Sequence, residues 1–536
     1  MRVRHIPVLI VGAGLAGLSA ALLLAWRGIP NLVVEKRAST SRHPRARGIN
    51  FRSMELLRIV PGLEGELCAA SRGEFAIVEA ETVVSAPSKV IVPPGGFDTR
   101  QLTPAAMAMA GQDLVEPILL RRARGLGAEA RFVTELVGFS QDVGGVTAQL
   151  RNLATGEEET ILADYLIAAD GNRSAIREAL GIGTTGPGAF SQNLSILFDS
   201  DYAPPEGEGA FLRHLRNPDF AGVFVSTDNP RIALVSFEYD PTTESVADFD
   251  SKRCAEIVRA ALGVNDVSVN VLDVTPWEMS SRLAETMAVG RVFLAGDAAH
   301  TMPPTGGLGG QTAIQDAGDL AWKLAMVLRG EAAPGLLETY EAERHPVAAM
   351  TVARQTANYV QRARPDRKDL ADPNGELDYL SVAMGYVYRS AAVSSETPDD
   401  GRKAESPLKP SGRPGTRLAH VPLMRNNAAT STLDLTGRSL SLLAAPGGGA
   451  WVEAARRVRD RSSAPLDVYR VDGDAIDSDE LFLRRTGLEN DGAILARPDG
   501  FIAWRSRRGI PDREAALAEA VGRALCRPFA LKERAA

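Results

Sequence analysis

The pattern of apolar and polar positions divides the chain into three kinds of segment. Two short apolar runs, 7–11 and 165–169, are each followed by a helical pattern, which is typical of buried parallel strands in βαβ units. Residues 188–283 instead alternate apolar and polar positions in short runs, and this period of two predicts an antiparallel sheet. Beyond a stretch rich in proline, glycine and charge (396–415), three apolar runs predict the strands of a small α/β domain: Leu440–Leu443, Leu466–Val471 and Ala493–Trp504.

Helices are expected at four places where apolar residues recur at three- and four-residue steps: 112–124, 252–262, 314–328 and 336–360. Pro346 lies inside the last of these and predicts a kink or a restart there. Residues 75–101 are expected to be strand-rich and irregular, with a turn at 93–96.

The first βαβ unit contains a fingerprint for nucleotide binding. Gly12, Gly14 and Gly17 follow the first strand and open a helix, and Glu35 ends the next strand. The glycines allow a pyrophosphate to approach the helix N-terminus, while the acid binds ribose hydroxyls. This combination predicts a dinucleotide site without distinguishing FAD from NAD. A signal peptide or a membrane span is the alternative for this apolar N-terminus, but the internal glycines and the second strand favour the βαβ unit.

Two further stretches place charge near such a site. A basic segment, His43–Asn50, follows Glu35, and its arginines can neutralise phosphate or reach the rim of a flavin. A basic surface loop is the alternative. The strand 165–169 ends at Asp170 and Gly171, so a second acid and glycine come at the end of a buried strand.

A glycine-rich stretch forms the centre of the predicted site. Gly296–Gln311 reads GDAAHTMPPTGGLGGQ and lies between an apolar strand-like run, Val292–Ala295, and the helix at 314–328. Glycine lets backbone N–H groups approach a ligand, proline stiffens the loop, and a helix N-terminus adds partial positive charge. This geometry suits a large, planar, partly anionic group such as a flavin. A glycine-rich surface loop is the alternative when the stretch is taken by itself.

Composition narrows the class of partner. The chain has 536 residues, enough for two to four domains, and its net charge of −7 argues against nucleic acid. Its three cysteines, Cys68, Cys254 and Cys526, form no CxxC pair, no zinc spacing and no disulfide framework. The cysteine usage therefore favours a reducing cytoplasm and no metal site. We also expect no membrane partner, a small-molecule substrate, and a monomer or homodimer.

Taken together, GAGLAG at 12–17, Asp170–Gly171 and Gly296–Asp297 resemble the three-part FAD signature of single-component (class A) FAD-dependent aromatic hydroxylases. Three further segments are similar to the branch that acts on aromatic polyketides such as anthracyclines, angucyclines and tetracenomycins: PRARG at 44–48, YEAERHP at 340–346 and RPDGFIAWR at 497–505.

The resemblance implies an α/β fold. It consists of a Rossmann-like FAD-binding domain, an inserted antiparallel β-sheet substrate domain and a C-terminal thioredoxin-like domain without CxxC. We expect the FAD-binding domain at 1–74, 102–187 and 284–395, and the substrate domain at 75–101 and 188–283. A linker is expected at 396–411 and the C-terminal domain at 412–536.

The resemblance also assigns roles to residues. Asp297 is expected to accept a ribityl hydroxyl. Asp170 and Arg173 are expected to bridge FAD and NADPH binding, or to order the fold. FAD is expected to contact the following residues: Gly12, Gly14, Ala16, Gly17, Glu35, Lys36, Arg45, Gln112, Asp170, Asp297, Pro304, Gly307, Gly309 and Gly310. The family pattern has asparagine where this chain has Gln311 and Asp319, which puts a side-chain contact from Gln311 to the flavin in doubt.

Candidates near the chemistry are Pro303, against the ring, and His300 and Arg389, which would favour a substrate phenolate. A loop-stabilising hydrogen bond is the alternative for His300, and an interdomain ion pair is the alternative for Arg389. The substrate pocket is expected to include one face of the antiparallel sheet, although most aromatic residues there belong to a core. The residues expected to line it are Gly48, Phe224, Phe237 and Trp277.

The implied reaction is a monooxygenation. NADPH reduces FAD, O2 adds at the flavin C4a carbon to give a hydroperoxide, and an electron-rich phenolic ring takes the distal oxygen. Baeyer–Villiger oxygen insertion on a related polyketide is an alternative. A non-catalytic binder with an inherited FAD fold, like the prenyl-GTPase escort proteins, is a further one, and the PPTGGLGG loop argues against it.

Overall fold

The structure is a computed structural model that describes residues 3–43, 45–71, 76–93, 98–202, 212–370, 377–462, 464–477 and 480–528. Parts of two predicted features, Pro44 of the PRARG segment and 94–96 of the turn at 93–96, lie outside these ranges.

The strands are β1 (Val3–Val11), β2 (Asn31–Val34), β3 (Arg47–Ile49), β4 (Ile77–Ala80), β5 (Lys89–Val92), β6 (Ala108–Gly111), β7 (Glu129–Arg131), β8 (Thr134–Gln141), β9 (Val146–Asn152), β10 (Glu158–Ala168), β11 (Thr184–Ser200), β12 (Leu212–Arg216), β13 (Ala221–Ser226), β14 (Ile232–Glu238), β15 (Val269–Ala284), β16 (Ala288–Val289), β17 (Val292–Leu294), β18 (His300–Thr301), β19 (Pro422–Arg425), β20 (Ala428–Ser431), β21 (Leu440–Ala444), β22 (Leu466–Arg470), β23 (Ala493–Ala496) and β24 (Ile502–Ser506). The helices are α1 (Leu15–Trp26), α2 (Phe51–Leu57), α3 (Leu63–Ala69), α4 (Gln112–Gly125), α5 (Ala175–Ala179), α6 (Ser251–Leu262), α7 (Gly309–Leu328), α8 (Gly335–Arg362), α9 (Tyr379–Met384), α10 (Gly449–Ser462), α11 (Leu481–Thr486) and α12 (Arg513–Ala524).

The first sheet aligns the three predicted nucleotide-binding motifs. Its strand order is β16-β17-β10-β1-β2-β7, with β9 and β8 added beside β10. β1, β10 and β17 run parallel and in register, so that Val11 pairs with Ala168 and Ala168 pairs with Leu294. Because the carboxyl ends of these strands meet at one edge, the turns that follow them lie side by side. The core of this domain is formed by these apolar strands together with α1 and α7.

The second sheet has two different faces. Its order is β18-β15-β11-β14-β13-β12-β4-β5, antiparallel except where β4 pairs with β12. The apolar side chains of one face pack against α6 and form a separate core. The other face turns toward α8, where Phe190 lies 5.1 Å from Tyr359 between ring centroids and Ser281 hydrogen-bonds Thr356 at 2.6 Å. The alternation predicted for 188–283 therefore corresponds to an antiparallel sheet with one face in a core.

The C-terminal part has a four-stranded sheet in the order β22-β21-β23-β24. The run 493–504, predicted as one strand, is a hairpin, because the Pro498–Asp499–Gly500 turn separates β23 from β24. Of the kink or restart predicted at Pro346, the restart is wrong, because the 28-residue helix α8 continues through this proline. In the described part of the chain, no helix combines the length and the apolar character needed to cross a membrane. The predicted α/β fold class is confirmed by these three parts.

Candidate cofactor site

Gly12 and Gly17 allow β1 and α1 to pack closely against each other and the end of β10. Gly12 has a φ of +104°, and a Cβ there would overlap the carbonyl of Ala169. A Cβ at Gly17 would overlap the carbonyl of Gly12. Gly14 differs, because a Cβ there would meet its nearest atom, an oxygen of Glu116, only at 3.8 Å. Gly14 therefore leaves space in front of the helix N-terminus.

That N-terminus has the properties of an anion site. The first turn of α1 contains no acidic residue, and no side chain of the described residues caps it. The amide N–H groups of the first turn consequently point at the space beside Gly14 without a helical acceptor. Ala16 lies buried in this turn. Such an arrangement binds a pyrophosphate through backbone donors and the helix dipole.

Glu35 and Gln112 organise the loops on either side of this space. The Glu35 carboxylate accepts hydrogen bonds from the backbone N–H groups of Ala13 and Arg37, each at 2.9 Å. The Gln112 side chain accepts from the N–H of Ala46 at 3.3 Å and donates to Glu116 at 2.6 Å. Gln112 therefore holds the loop that carries the exposed Arg45 beside the glycine turn. Lys36 is exposed on the far side of Glu35.

Asp170 lies at the end of β10, next to Gly12. One oxygen of its carboxylate accepts from the N–H of Ile176 at 3.3 Å, and the other, Oδ1, is buried without a partner among the described residues. Desolvation raises the pKa of Asp170, and the hydrogen bond from Ser174 opposes that rise. Arg173 is exposed close by, so an acid and a cation border the cofactor edge of the sheet.

Asp297 projects from the third strand end into an accessible space. Its side chain is exposed although its neighbours Gly296 and Ala298 are buried. The surrounding protein raises the pKa of Asp297 by desolvation, while the nearby charges of His300 and Arg45 oppose that rise. The exposed carboxylate can therefore accept hydrogen bonds from a ligand at this edge of the sheet.

The loop from Pro303 to Leu308 precedes a second uncapped helix N-terminus. α7 begins with Gly309 and Gly310, and in the part of the chain that is described no side chain caps it and no acid lies in its first turn. Pro303 is buried, whereas Pro304 and Gly307 are exposed. Backbone donors here can stabilise negative charge on one edge of a planar ring.

Gln311 does not face this ring position. Its Nε2 donates to the carbonyl of Gly48 at 2.8 Å, and its Oε1 accepts from the N–H of Asn50 at 3.0 Å. The longer side chain, where the family pattern has asparagine, therefore binds β3 to the start of α7. Gly48 is buried against Met109 in this arrangement. This contact could not be predicted from the sequence, because β3 lies more than 250 residues from Gln311.

His300 and Arg389 lie in different surroundings. His300 is buried, its Nε2 is 2.7 Å from an oxygen of Asp316, and its Nδ1 has no partner among the described residues. Arg389 instead pairs with Asp399 at 2.7 Å and donates to the carbonyl of Arg402 at 2.8 Å. The expected role of Arg389 beside the substrate is therefore corrected: it stabilises the segment between the domains.

The predicted substrate residues of the middle domain divide between the two faces of its sheet. Phe224 and Phe237 belong to the core on the α6 side, and Phe237 packs against Phe249 at 5.8 Å. Their assignment to a substrate pocket is corrected, because cross-strand pairing places them opposite the accessible face. Trp277 lies on that accessible face, where its Nε1 donates to the hydroxyl oxygens of Ser195 and Ser236 at 2.9 and 3.2 Å.

The residues present fit FAD. Two uncapped helix N-termini, an open glycine turn and a projecting carboxylate lie along one edge of the sheet, in the order that a pyrophosphate, a ribityl chain and a ring require. The sheet face with Trp277 is separate from this edge and can form the wall of a substrate cavity.

Comparisons with known proteins identify the family. Residues 5–355 match the family model described as FAD binding domain, and residues 411–528 match the one described as aromatic-ring hydroxylase, C-terminal. The chain is 42% identical over 545 residues to aklavinone 12-hydroxylase of Streptomyces purpurascens, with 98% of this chain and 100% of that protein covered. It is 39% identical over 539 residues to 4-methyl-5-nitrocatechol 5-monooxygenase of a Burkholderia species, with 98% of each covered.

A solved structure agrees with these relatives. The chain matches the crystal structure of aklavinone-11 hydroxylase in a ternary complex with FAD and aklavinone, with a TM-score of 0.92 and 41% sequence identity. The match covers 98% of this chain and 100% of that one.

Proposed function

The chain belongs to the family of FAD-dependent aromatic-ring hydroxylases, and we propose that the substrate it hydroxylates is a phenolic polycycle of the aromatic-polyketide type. As a member of this family it is a monooxygenase that binds FAD and uses NADPH as reductant. The proposal for the substrate is carried by the full-length similarity to aklavinone 12-hydroxylase. O2 is the second substrate, and the bound flavin supplies the oxygen transfer chemistry.

The chain itself binds and orients the cofactor and the substrate, and it excludes water from the reaction. We propose that the α1 N-terminus and Gly14 hold the pyrophosphate, that Asp297 accepts a ribityl hydroxyl, and that the first amides of α7 face the ring. We also propose the expected domain boundaries, and we propose that the remaining residues expected to contact FAD do so. Preorganised backbone donors stabilise charge on a reduced ring without reorganising at the moment of reaction.

The accessible face of the second sheet suits a flat polycycle. Cross-strand pairing sets Val225, Leu234 and Leu197 in one row, and the next row along the strands contains Val223. Trp277 extends this surface and has its ring nitrogen satisfied by Ser195 and Ser236, so it presents its apolar ring without an unpaired donor. An aromatic plane can pack on these side chains with little loss of hydrogen bonding.

Arg362 is our candidate for stabilising a substrate phenolate in place of Arg389. Its Nη1 donates to the carbonyl of Thr305 at 2.9 Å, in the loop from Pro303 to Leu308 that precedes α7 (the ring loop). His214 lies nearby on β12: burial lowers the pKa of this imidazole, and the charge of Arg362 lowers it further. A cation between the ring loop and the sheet face would favour the ionised form of a phenolic ring, which is the better nucleophile.

The proposal is tested by offering purified enzyme NADPH and three compounds: an aklavinone-type anthracyclinone, a naphthacenequinone and 4-methyl-5-nitrocatechol. We expect NADPH oxidation to be stimulated by the polycycles, with one oxygen added as a ring hydroxyl. A new lactone, detected by NMR, would indicate Baeyer–Villiger insertion instead. Turnover of the nitrocatechol alone would overturn the polycyclic assignment.

The role of Arg362 is tested separately. The variant Arg362→Gln should keep FAD and substrate-stimulated NADPH oxidation but release a larger share of the oxygen as peroxide, because the phenolate is less favoured. Arg367→Gln is the matched control, since Arg367 pairs with Asp369 on the surface at 2.9 Å. Equal product yield per NADPH in the two variants would remove Arg362 from the mechanism.

A further inference from the structure

Asp316 on α7 binds both ends of the segment that carries Asp297. One oxygen of its buried carboxylate accepts from the backbone N–H of Gly296 at 3.1 Å and lies 2.7 Å from the Nε2 of His300. Gly296 and His300 are the residues that begin and end the turn around Asp297. The position of the Asp297 carboxylate therefore depends on the position of Asp316.

Arg344 of α8 fixes the other oxygen of Asp316. Its Nε donates to this oxygen at 2.9 Å, and both side chains are fully buried. Its Nη1 donates to the hydroxyl oxygen of Tyr388 at 3.2 Å, and its Nη2 donates to the carbonyl of Thr312 at 3.4 Å. All three nitrogen atoms of the Arg344 guanidinium thus donate a hydrogen bond, and Tyr388 is the acceptor of one of them.

Tyr388 in turn rests on the C-terminal domain. Its ring stacks on Phe501 with 4.2 Å between centroids and an interplanar angle of 29°. Phe501 directly precedes β24, the return strand of the 493–506 hairpin, and is fully buried. Its ring also stacks on Tyr386, whose ring lies 5.5 Å from the Arg344 guanidinium. The Tyr386 hydroxyl instead accepts from Arg52, which binds Glu55 and not Asp316.

We propose that the C-terminal domain positions the turn at 296–300, which carries Asp297. Phe501 packs against Tyr388, Tyr388 accepts a hydrogen bond from Arg344, and Arg344 binds the Asp316 carboxylate that fixes this turn. Arg344, Tyr388 and Phe501 are positioning residues, and none of them needs to contact FAD. This assigns a role to a domain that has no CxxC pair and no catalytic group of its own in the proposed reaction.

The hydroxyl of Tyr388 provides a sharp test. Tyr388→Phe keeps the ring stack on Phe501 and removes only the acceptor for Arg344. Tyr386→Phe is the matched control, because it removes one equally buried hydroxyl from the same aromatic group. Titrating FAD into apoprotein, with loss of flavin fluorescence as readout, should show about threefold to tenfold weaker binding for Tyr388→Phe. Tyr386→Phe should stay within about twofold of the unmodified protein.

A second pair of variants tests the contribution of the C-terminal domain. Phe501→Leu and Phe482→Leu each shorten one fully buried phenylalanine of that domain, but Phe482 lies within the domain's own core. Both should lower the urea midpoint, and Phe501→Leu alone should weaken FAD binding and raise peroxide release. Equal FAD affinity in the two leucine variants, or in the two tyrosine variants, would overturn the proposal. A purely structural role would move the urea midpoints and leave FAD affinity unchanged.

Discussion

A buried charge cluster at the interface with the C-terminal domain contains one more carboxylate than cation. Lys323 lies 2.7 Å from Asp319 and 2.8 Å from Glu343. Arg497, from the RPDGF turn, binds Glu343 at 2.5 Å, Asp319 at 3.3 Å and Asp499. Two cations therefore face three acids in a region without solvent access, and one of the acids is more stable when protonated.

Asp319 is that acid. Burial raises the pKa of Asp319 to about 7: the loss of solvation outweighs the attraction of Lys323 and Arg497, and repulsion from Glu343 and Asp499 adds to the rise. Its ordinary value is 3.8, so the folded protein keeps this proton between about pH 4 and pH 7 while the unfolded chain releases it. The free energy of unfolding must therefore fall as pH rises through this window, by about 1.4 kcal/mol per pH unit.

The substitution Asp319→Asn removes this dependence. Asparagine is also the residue expected at this position from the family pattern. Between about pH 5 and pH 8, the difference in unfolding free energy between variant and unmodified protein should change by roughly 2–3 kcal/mol, in favour of the variant at the higher pH. Histidines that titrate in this range are present in both proteins and cancel. Glu343 cancels as well, because Arg497 and Lys323 hold its pKa below the window.

Urea unfolding followed by tryptophan fluorescence at both pH values measures this change. Asp460→Asn is the control, since it makes the same substitution at a side chain that is 68% exposed and lies outside the buried cluster. A constant difference between Asp319→Asn and the unmodified protein at the two pH values would refute the reasoning. It would mean that Lys323 and Arg497 keep Asp319 ionised throughout.

Three further outcomes follow from the site and the interface. Gly14→Val should lower FAD affinity at least about tenfold, because the new side chain fills the space before α1. Gly65→Val is the control, because a side chain there faces open space. The ratio of flavin to protein absorbance in the purified variants measures how much FAD each one retains. Arg497→Met should cost about 3–5 kcal/mol of unfolding free energy in urea titrations, because it leaves buried carboxylates unpaired, and a cost below about 1 kcal/mol would contradict that account. Gln311→Leu should weaken FAD binding in apoprotein titrations about tenfold, because the carbonyl of Gly48 and the N–H of Asn50 lose their buried partner, and unchanged affinity would separate the β3 segment from the cofactor site.

The parts of the site that depend on local pattern could be predicted from the sequence. Gly12, Asp170 and Gly296 each follow an apolar run, and parallel strands bring such ends to one edge of a sheet. The family resemblance added Asp297 and the ring loop. These predictions rest on short-range order and on a rule of topology, neither of which requires knowledge of side-chain contacts.

The parts that depend on distant contacts could not be predicted. Phe224 and Phe237 belong to strands with apolar residues on both faces, so alternation could not say which face meets α6. Arg389 directly follows Tyr388 in the chain, but its side chain turns outward to Asp399. The YEAERHP and RPDGFIAWR segments were recognised separately, and only the structure shows that Glu343 and Arg497 bind each other.

The order of the first sheet has a consequence for biosynthesis. β1 lies in the middle, β10 beside it is made about 150 residues later, and β17 follows only near residue 292. A growing chain that has passed residue 250 on the ribosome can join β1 to β2 and β10, yet still lacks the strand and helix that complete the flavin pocket. Nascent protein must therefore wait for its last FAD-binding segment before the flavin can enter. Until then the outer edge of β10 at 166–168, beyond the part that pairs with β9, stays unpaired.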